Sequence, residues 1–291
     1  MAKSLRVPAA ATGPKHARAQ LLERAVLALR TRRFDEAEQL ATEILRASRT
    51  DAAATSILAR VLIARNRPGE AIAPLEKLAR RADDPDIEIL LGAALGGAGR
   101  RAEAIERLRR AAARRPPFLP AFQELAGQLA ADGRVGEAIS AIEDGLALVP
   151  GNIDLLLDLA RLSVQRNDRS RAREILLEAT QAAPGRCEIW AMLARVLLLN
   201  GEYVDAADAY RRALALRPDD AMTRADLATC LLEMGNREAG EAALRLAVRG
   251  RPEMLGRATA ALVHSSHGRF FFRKSAVAAF LQVEGSKATG A

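Results

Sequence analysis

The sequence predicts an all-α protein made of stacked helical hairpins. Three observations predict it. Pro116, Pro150, Pro184, Pro218 and Pro252 fall at a fixed step of 34 residues. A period of that size marks a repeat array, in which each unit packs only on its neighbours. In a frame of seven units, two places hold nothing but Ala or Gly. The eighth is Ala25, Ala59, Gly92, Ala126, Ala160, Ala194, Ala228; the twentieth is Ala37, Ala71, Ala104, Ala138, Ala172, Ala206, Gly240. Small side chains are required where two helix backbones approach closely. Finally, the chain is 49% hydrophobic but only 3% aromatic. Its core must therefore be Leu and Ala, both strong helix formers.

Residues 1–17 carry Pro8, Gly13 and Pro14 and show no periodicity. They read as a disordered basic arm. The units then run Arg18–Asp51, Ala52–Asp84, Pro85–Phe118, Leu119–Asn152, Ile153–Arg186, Cys187–Asp220 and Ala221–Met254. The fifteenth place is Asn66, Gly99, Gly133, Asn167, Gly201 or Gly235 in six of them. These residues accept the left-handed conformation that ends a helix, so each unit is helix, tight turn, helix. The proline near the end of most units stops the second helix. Places four and seven are apolar in the later units: Phe122 and Leu125, Leu156 and Leu159, Trp190 and Leu193. They are expected to face partner helices in the core, each Leu contributing about 1.5–3 kcal/mol on burial. A last repeat exposes an apolar face, so residues 255–282 are expected to form capping helices. Phe270, Phe271, Phe272 and Phe280 are then either cap core or a docking patch. The tail 283–291 reads as frayed.

The best-formed unit runs from Cys187, with Trp190, Leu193, Ala194, Leu197, Ala206, Tyr210, Ala213 and Pro218 at its marked places. This pattern resembles the tetratricopeptide repeat, over about residues 18–254. The first two units match least, with Arg49 and Asp83 where proline is usual. The resemblance implies a right-handed superhelical solenoid of helical hairpins. It also implies a concave face, lined by the first helix of each unit, that binds peptides.

Helical spacing aligns places two, six, nine and thirteen of each first helix on one stripe. If the family geometry holds, that stripe lines the groove. The candidates for ligand contact are Ile57, Arg60 and Leu90 early in the chain. Later ones are Asp154, Asp158, Arg161, Gln165, Glu188, Met192, Arg195 and Asp226. Small early walls admit an extended or helical segment, and a polar end fixes its register. Arg161 and Arg195, both at place nine, are placed to grip a carboxylate together. The alternative reading of the stripe is a solvated face, with Asp158 and Arg161 a local pair. Two groove types known in the family, the chaperone-tail clamp and an asparagine ladder, lack their residues here.

Signals for catalysis are weak. The glycine-rich stretch Gly92–Gly99 is followed by Arg100-Arg101, where a phosphate loop wants Lys and Ser or Thr. His264 and His267 lack a third zinc ligand nearby. No metal or cofactor is expected. The net charge of +8 is spread unevenly: Pro85–Phe118 has seven cations against four anions, Leu119–Asn152 one against five. With few aromatics to stack bases, nucleic acid is a disfavoured partner. Cys187 and Cys230 read as small residues of a reducing compartment. No apolar run reaches transmembrane length and no secretory signal is evident, so a bacterial cytoplasmic protein is expected. The reading is thus a non-catalytic adaptor that binds a protein or peptide in its groove. The alternative is a regulatory or targeting subunit docking onto an enzyme, such as a transferase, by the groove or the Phe-rich tail. The oligomeric state is not legible.

Overall fold

The computed structural model describes residues 14–81, 83–271 and 273–282. Among them every regular element is helical. The chain divides into two compact units, Met1–Gly145 and Leu146–Ala291. The first holds α1 (Pro14–Arg30), α2 (Phe34–Ala47), α3 (Ala52–Ala64), α4 (Gly69–Ala79), α5 (Pro85–Gly97), α6 (Arg101–Ala112) and α7 (Leu119–Ala131). The boundary falls within α8 (Val135–Leu148). The second holds α9 (Ile153–Gln165), α10 (Arg169–Ala182), α11 (Cys187–Leu199), α12 (Tyr203–Leu216), α13 (Ala221–Glu233) and α14 (Arg237–Val248). A 3-10 turn (Pro252–Met254), α15 (Leu255–His264) and α16 (Lys274–Phe280) follow.

The repeat frame and the helices coincide. Six first helices begin on the first residue of their repeat: Ala52, Pro85, Leu119, Ile153, Cys187 and Ala221. The exception is α1, which begins at Pro14 rather than Arg18. Proline is favoured at the first helical position, because its missing N–H has no intrahelical partner there anyway. So residues 14–17, expected in the arm, are helical; residues 1–13 and 283–291 lie outside the described residues.

The turns repeat in atomic detail. At place fifteen, Asn66, Gly99, Gly133, Asn167, Gly201 and Gly235 all have positive φ, between 59° and 83°. The N–H groups at places fifteen and sixteen fold back on the last carbonyls of each first helix. In the sixth repeat Gly201 N–H donates to Leu198 O at 3.0 Å and Glu202 N–H to Leu197 O at 3.0 Å. This is the paired closure that satisfies a helix C-terminus. The first repeat makes the same turn with Arg32 at φ 57°. The fold imposes the conformation even where the residue does not favour it.

The starts of the first helices carry a signal the periodicity did not supply. Asp51 accepts from Ala54 N–H at 3.1 Å, Asp84 from Asp86 N–H at 3.0 Å and Asn152 from Leu155 N–H at 3.1 Å. Asp220 accepts from Met222 and Thr223 N–H. All four stand at the last place of their repeat and act as N-caps, each contributing about 1 kcal/mol.

The small residues at places eight and twenty are buried throughout, Ala194 and Ala206 at 0% exposure. Their role is visible in the seventh repeat. A Cβ built on Gly240 would lie 3.2 Å from the Ala228 carbonyl oxygen and 2.8 Å from the Leu232 side chain. Places eight and twenty thus meet across that hairpin. In the third repeat a Cβ on Gly92 would lie 2.7 Å from Leu108, which fills the space instead. Phe122, Leu125, Leu156, Leu159 and Leu193 are buried as expected. Trp190 is not: it is only half-buried, with its Nε1–H donating to Pro184 O at 2.8 Å and the Arg212 guanidinium 4.7 Å above its ring.

The 3-10 turn, α15 and α16 pack on the seventh repeat. Met254, Ala258, Leu262, Val277 and Leu281 are buried in one cluster with Ala228, Leu232, Leu244 and Val248. Arg237 donates to the carbonyls of His267 and Gly268, and Ser266 to Glu233. His267 Nδ1–H donates to Leu232 O at 3.1 Å.

Candidate functional site

In the second unit, α9, α11 and α13 present their stripes to one open cavity of about 510 Å³. Arg161, Val164 and Gln165 come from α9, and Glu188, Ala191, Met192, Arg195 and Val196 from α11. Met222, Thr223 and Asp226 come from α13, with its cap Asp220, and Tyr210 enters from α12. Of the residues read from the sequence as groove contacts, Arg161, Gln165, Glu188, Met192, Arg195 and Asp226 are brought together here.

The others fall elsewhere. Ile57 and Leu90 are each 5% exposed and belong to the core of the first unit, so their side chains offer no contact surface. Place six points inward there because its side chain is aliphatic and finds an apolar cluster, Leu40 and Ala41 around Ile57. Arg60 is exposed on α3 of the first unit. Asp154 is exposed and paired with Arg186 at 2.7 Å. Phe271 is half-buried and packs tilted against Phe280, ring centroids 5.3 Å apart; Arg245 and Arg269 cover Phe280 at 4.7 and 5.0 Å. Phe270 is 71% exposed, and Phe272 lies outside the described residues.

The charges of the groove are mostly committed. Asp158 pairs with Arg161 at 2.5 Å, and Glu188 with Arg217 at 2.6 Å. Asp226 pairs with Arg257, which α15 of the cap delivers to the groove wall. Burial pushes the Asp226 carboxyl above its ordinary range, and the Arg257 and Arg195 cations only partly offset this. Arg195 itself is exposed and makes no ion pair among the described residues.

Beside Arg195 lies the residue that the sequence did not flag. Tyr210 is 1% exposed, and its hydroxyl has no hydrogen-bond partner among the described residues. Burial, and then the negative charge of Asp226, raise its pKa. A buried hydroxyl without a partner costs about 1–3 kcal/mol, so most such groups are satisfied. The same place holds Leu75, Leu108, Ile142, Leu176 and Leu244 in other repeats. Tyrosine is the one that adds a polar atom, and that was the available signal. Cys230 is fully buried, its thiol pushed up to about 12 by burial and by Asp226, and is therefore unreactive. Among the described residues no cluster of His, Cys, Asp or Glu is arranged to hold a metal, and no helix is long and apolar enough to cross a membrane.

A stack of two-helix repeats whose first helices line an open, partly polar groove defines a helical-repeat protein of the interaction-scaffold class. The family follows from the sequence models. One described as tetratricopeptide repeat matches residues 28–94, 129–196 and 197–261, and a second of the same description matches 89–153. The chain belongs to the tetratricopeptide-repeat family. Among solved structures it is similar to MamA 41-end from Desulfovibrio magneticus RS-1, with TM-score 0.51 and 14% identity over 59% of this chain and 97% of that one. A second crystal structure of MamA gives TM-score 0.50 and 15% identity over 57% and 97%. MamA MSR-1 gives TM-score 0.46 and 23% identity over 56% and 93%. At these identities the likeness is one of fold. No curated protein matches the chain.

Proposed function

We propose that the chain is a non-catalytic adaptor that holds a segment of another protein in the groove of α9, α11 and α13. The observation that carries this is the convergence of α9, α11 and α13 on one open cavity, where Arg195 stands exposed and in no ion pair among the described residues. A cation so placed suits a carboxylate or main-chain carbonyl. Met192 and Met222 line the same cavity with soft apolar surface that adapts to a side chain. Of the acidic lining, Glu188 is paired with Arg217 and Asp226 with Arg257, while Asp220 is engaged by the α13 N–H groups that it caps, so their repulsion of an anionic group is reduced.

The test uses a partner captured by crosslinking in the native cell, with affinity measured by calorimetry. Arg195→Ala is expected to weaken binding about tenfold, the loss of one charge-assisted hydrogen bond. Tyr210→Phe, which removes a buried hydroxyl with no partner among the described residues, should leave stability unchanged or raise it. Unaltered affinity in Arg195→Ala would remove the groove from the reading. The enzyme-docking alternative, through the groove or the Phe-rich tail, has Phe270 as its exposed tail ring among the described residues, since Phe271 and Phe280 pack on each other. Deleting residues 255–291 distinguishes them. Aggregation marks a cap, and a folded monomer that loses its partner marks a docking tail.

A further inference from the structure

The place that Trp190 fills in the sixth repeat is open in the second. Place four is Leu21, Phe122, Leu156 and Trp190 in four repeats, but Thr55 in the second. The Trp190 ring lies between Arg212 and Pro184. Counting through the frame, the residues at the places of Arg212 and Pro184 around Thr55 are Lys77 and Arg49. Both line a cavity of about 430 Å³ in the first unit, between α2, α3 and α4. Thr55 lies at its edge, 6% exposed, its hydroxyl donating to the Asp51 carbonyl at 2.7 Å. The walls are Leu45, Leu58, Pro74 and Leu78. Pro74 sits inside α4 and offers no N–H.

The rim is Arg49, Lys77 and Arg81, with no acidic residue on the lining. None of the three makes an ion pair among the described residues, although most arginines of the chain do. An apolar recess with three free cations around it is complementary to a ring flanked by carboxylates. We propose that this pocket receives an aromatic side chain from an acidic segment of a partner protein, the ring taking the place that Trp190 takes in its own repeat.

The chain does not supply the occupant itself. Residues 1–13 and 283–291 contain no aromatic residue, and the former are basic. The exposed Phe270 of a second copy follows Arg269 directly and has Arg273 three residues on, cations that the cationic rim repels. A nucleotide base would need its edge read by hydrogen bonds, and the Thr55 hydroxyl is already committed.

The experiment is methyl NMR on the full chain, with N-acetyl-Glu-Phe-Glu-amide as probe. N-acetyl-Lys-Phe-Lys-amide, N-acetyl-Glu-Ala-Glu-amide, AMP and anionic phospholipid vesicles serve as comparators. The first peptide should shift the methyls of Leu45, Leu58, Ala73 and Leu78, and the comparators should shift them at least tenfold more weakly, as lost ion pairs or a lost ring require. Thr55→Phe should fill the recess, raise the melting temperature and abolish the shifts. Lys77→Glu with Arg81→Glu, both exposed and outside the core, should weaken the peptide and favour its Lys counterpart. Equal binding of AMP or vesicles, shifts that persist in Thr55→Phe, or a lowered melting temperature in that variant would each overturn the proposal. The pocket and the α9–α11–α13 groove share no residue, so the two readings stand or fall separately.

Discussion

Gly201 allows one backbone term to be measured in isolation. It holds φ at 78°, and a Cβ built on it meets nothing within 4 Å. Replacing it with Ala therefore introduces no clash, and any cost is conformational. An L residue in the left-handed region costs about 1–2 kcal/mol. Ala also narrows the unfolded ensemble, returning about 0.4–1 kcal/mol. The net expectation is a loss of about 1 kcal/mol, roughly a fivefold shift of the folding equilibrium. Gly201→Asn should cost less, because Asn66 and Asn167 occupy the same turn at φ 59° and 61°. The reverse change, Arg32→Gly, should stabilise the first repeat, since Arg32 adopts φ 57° without a residue suited to it. Urea unfolding followed by circular dichroism at 222 nm measures all three, provided near-ultraviolet and far-ultraviolet transitions coincide, because repeat arrays can unfold in parts. If Gly201→Ala and Gly201→Asn prove equally harmless, the turn is not what fixes the hairpin and the reasoning fails.

Trp190→Ala should cost about 2–3 kcal/mol, below the ~3–5 of a fully buried aromatic, because the ring is half-buried and held by Arg212 and the Pro184 carbonyl. Trp190→Phe should recover more than half of this in the same denaturation assay; recovery of none would mean that the indole N–H carries the effect. Asp51 caps α3 and pairs with Arg18; burial alone would raise its carboxyl, but the Arg18 hydrogen bond and the Ala54 N–H outweigh burial and hold it below the ordinary value. A depressed pKa means stability that is present above the unfolded value of about 3.9 and lost as pH falls through the lower folded value. Asp51→Ala should therefore cost about 1 kcal/mol at pH 7, and the gap to the native chain should close below about pH 4. A gap that stays constant down to pH 2 would exclude the ionised cap.

The hairpin frame was legible in the sequence because its physical demands recur once per repeat. Backbone approach excludes anything larger than Ala at places eight and twenty, and positive φ selects Gly or Asn at place fifteen. The same arithmetic drew attention to the α9–α11–α13 stripe, since helical spacing alone puts Arg161, Met192 and Asp226 on corresponding faces. It misjudged Ile57 and Leu90, for a stripe position says which way a helix faces, not how deeply its neighbours cover it. It likewise overrated the burial of Trp190, which is half-buried with Arg212 over its ring.

What the sequence by itself determined was therefore most of what local backbone geometry governs: where the first helices from the second repeat onward start, where each hairpin turns, and which helices pair. Only the tertiary structure decided which charges are spent. Arg257 reaches Asp226 across 31 positions, and Lys77 and Arg81 make no ion pair among the described residues. Coulombic pairing depends on distances of a few ångströms between residues far apart in the chain, and no periodicity encodes those.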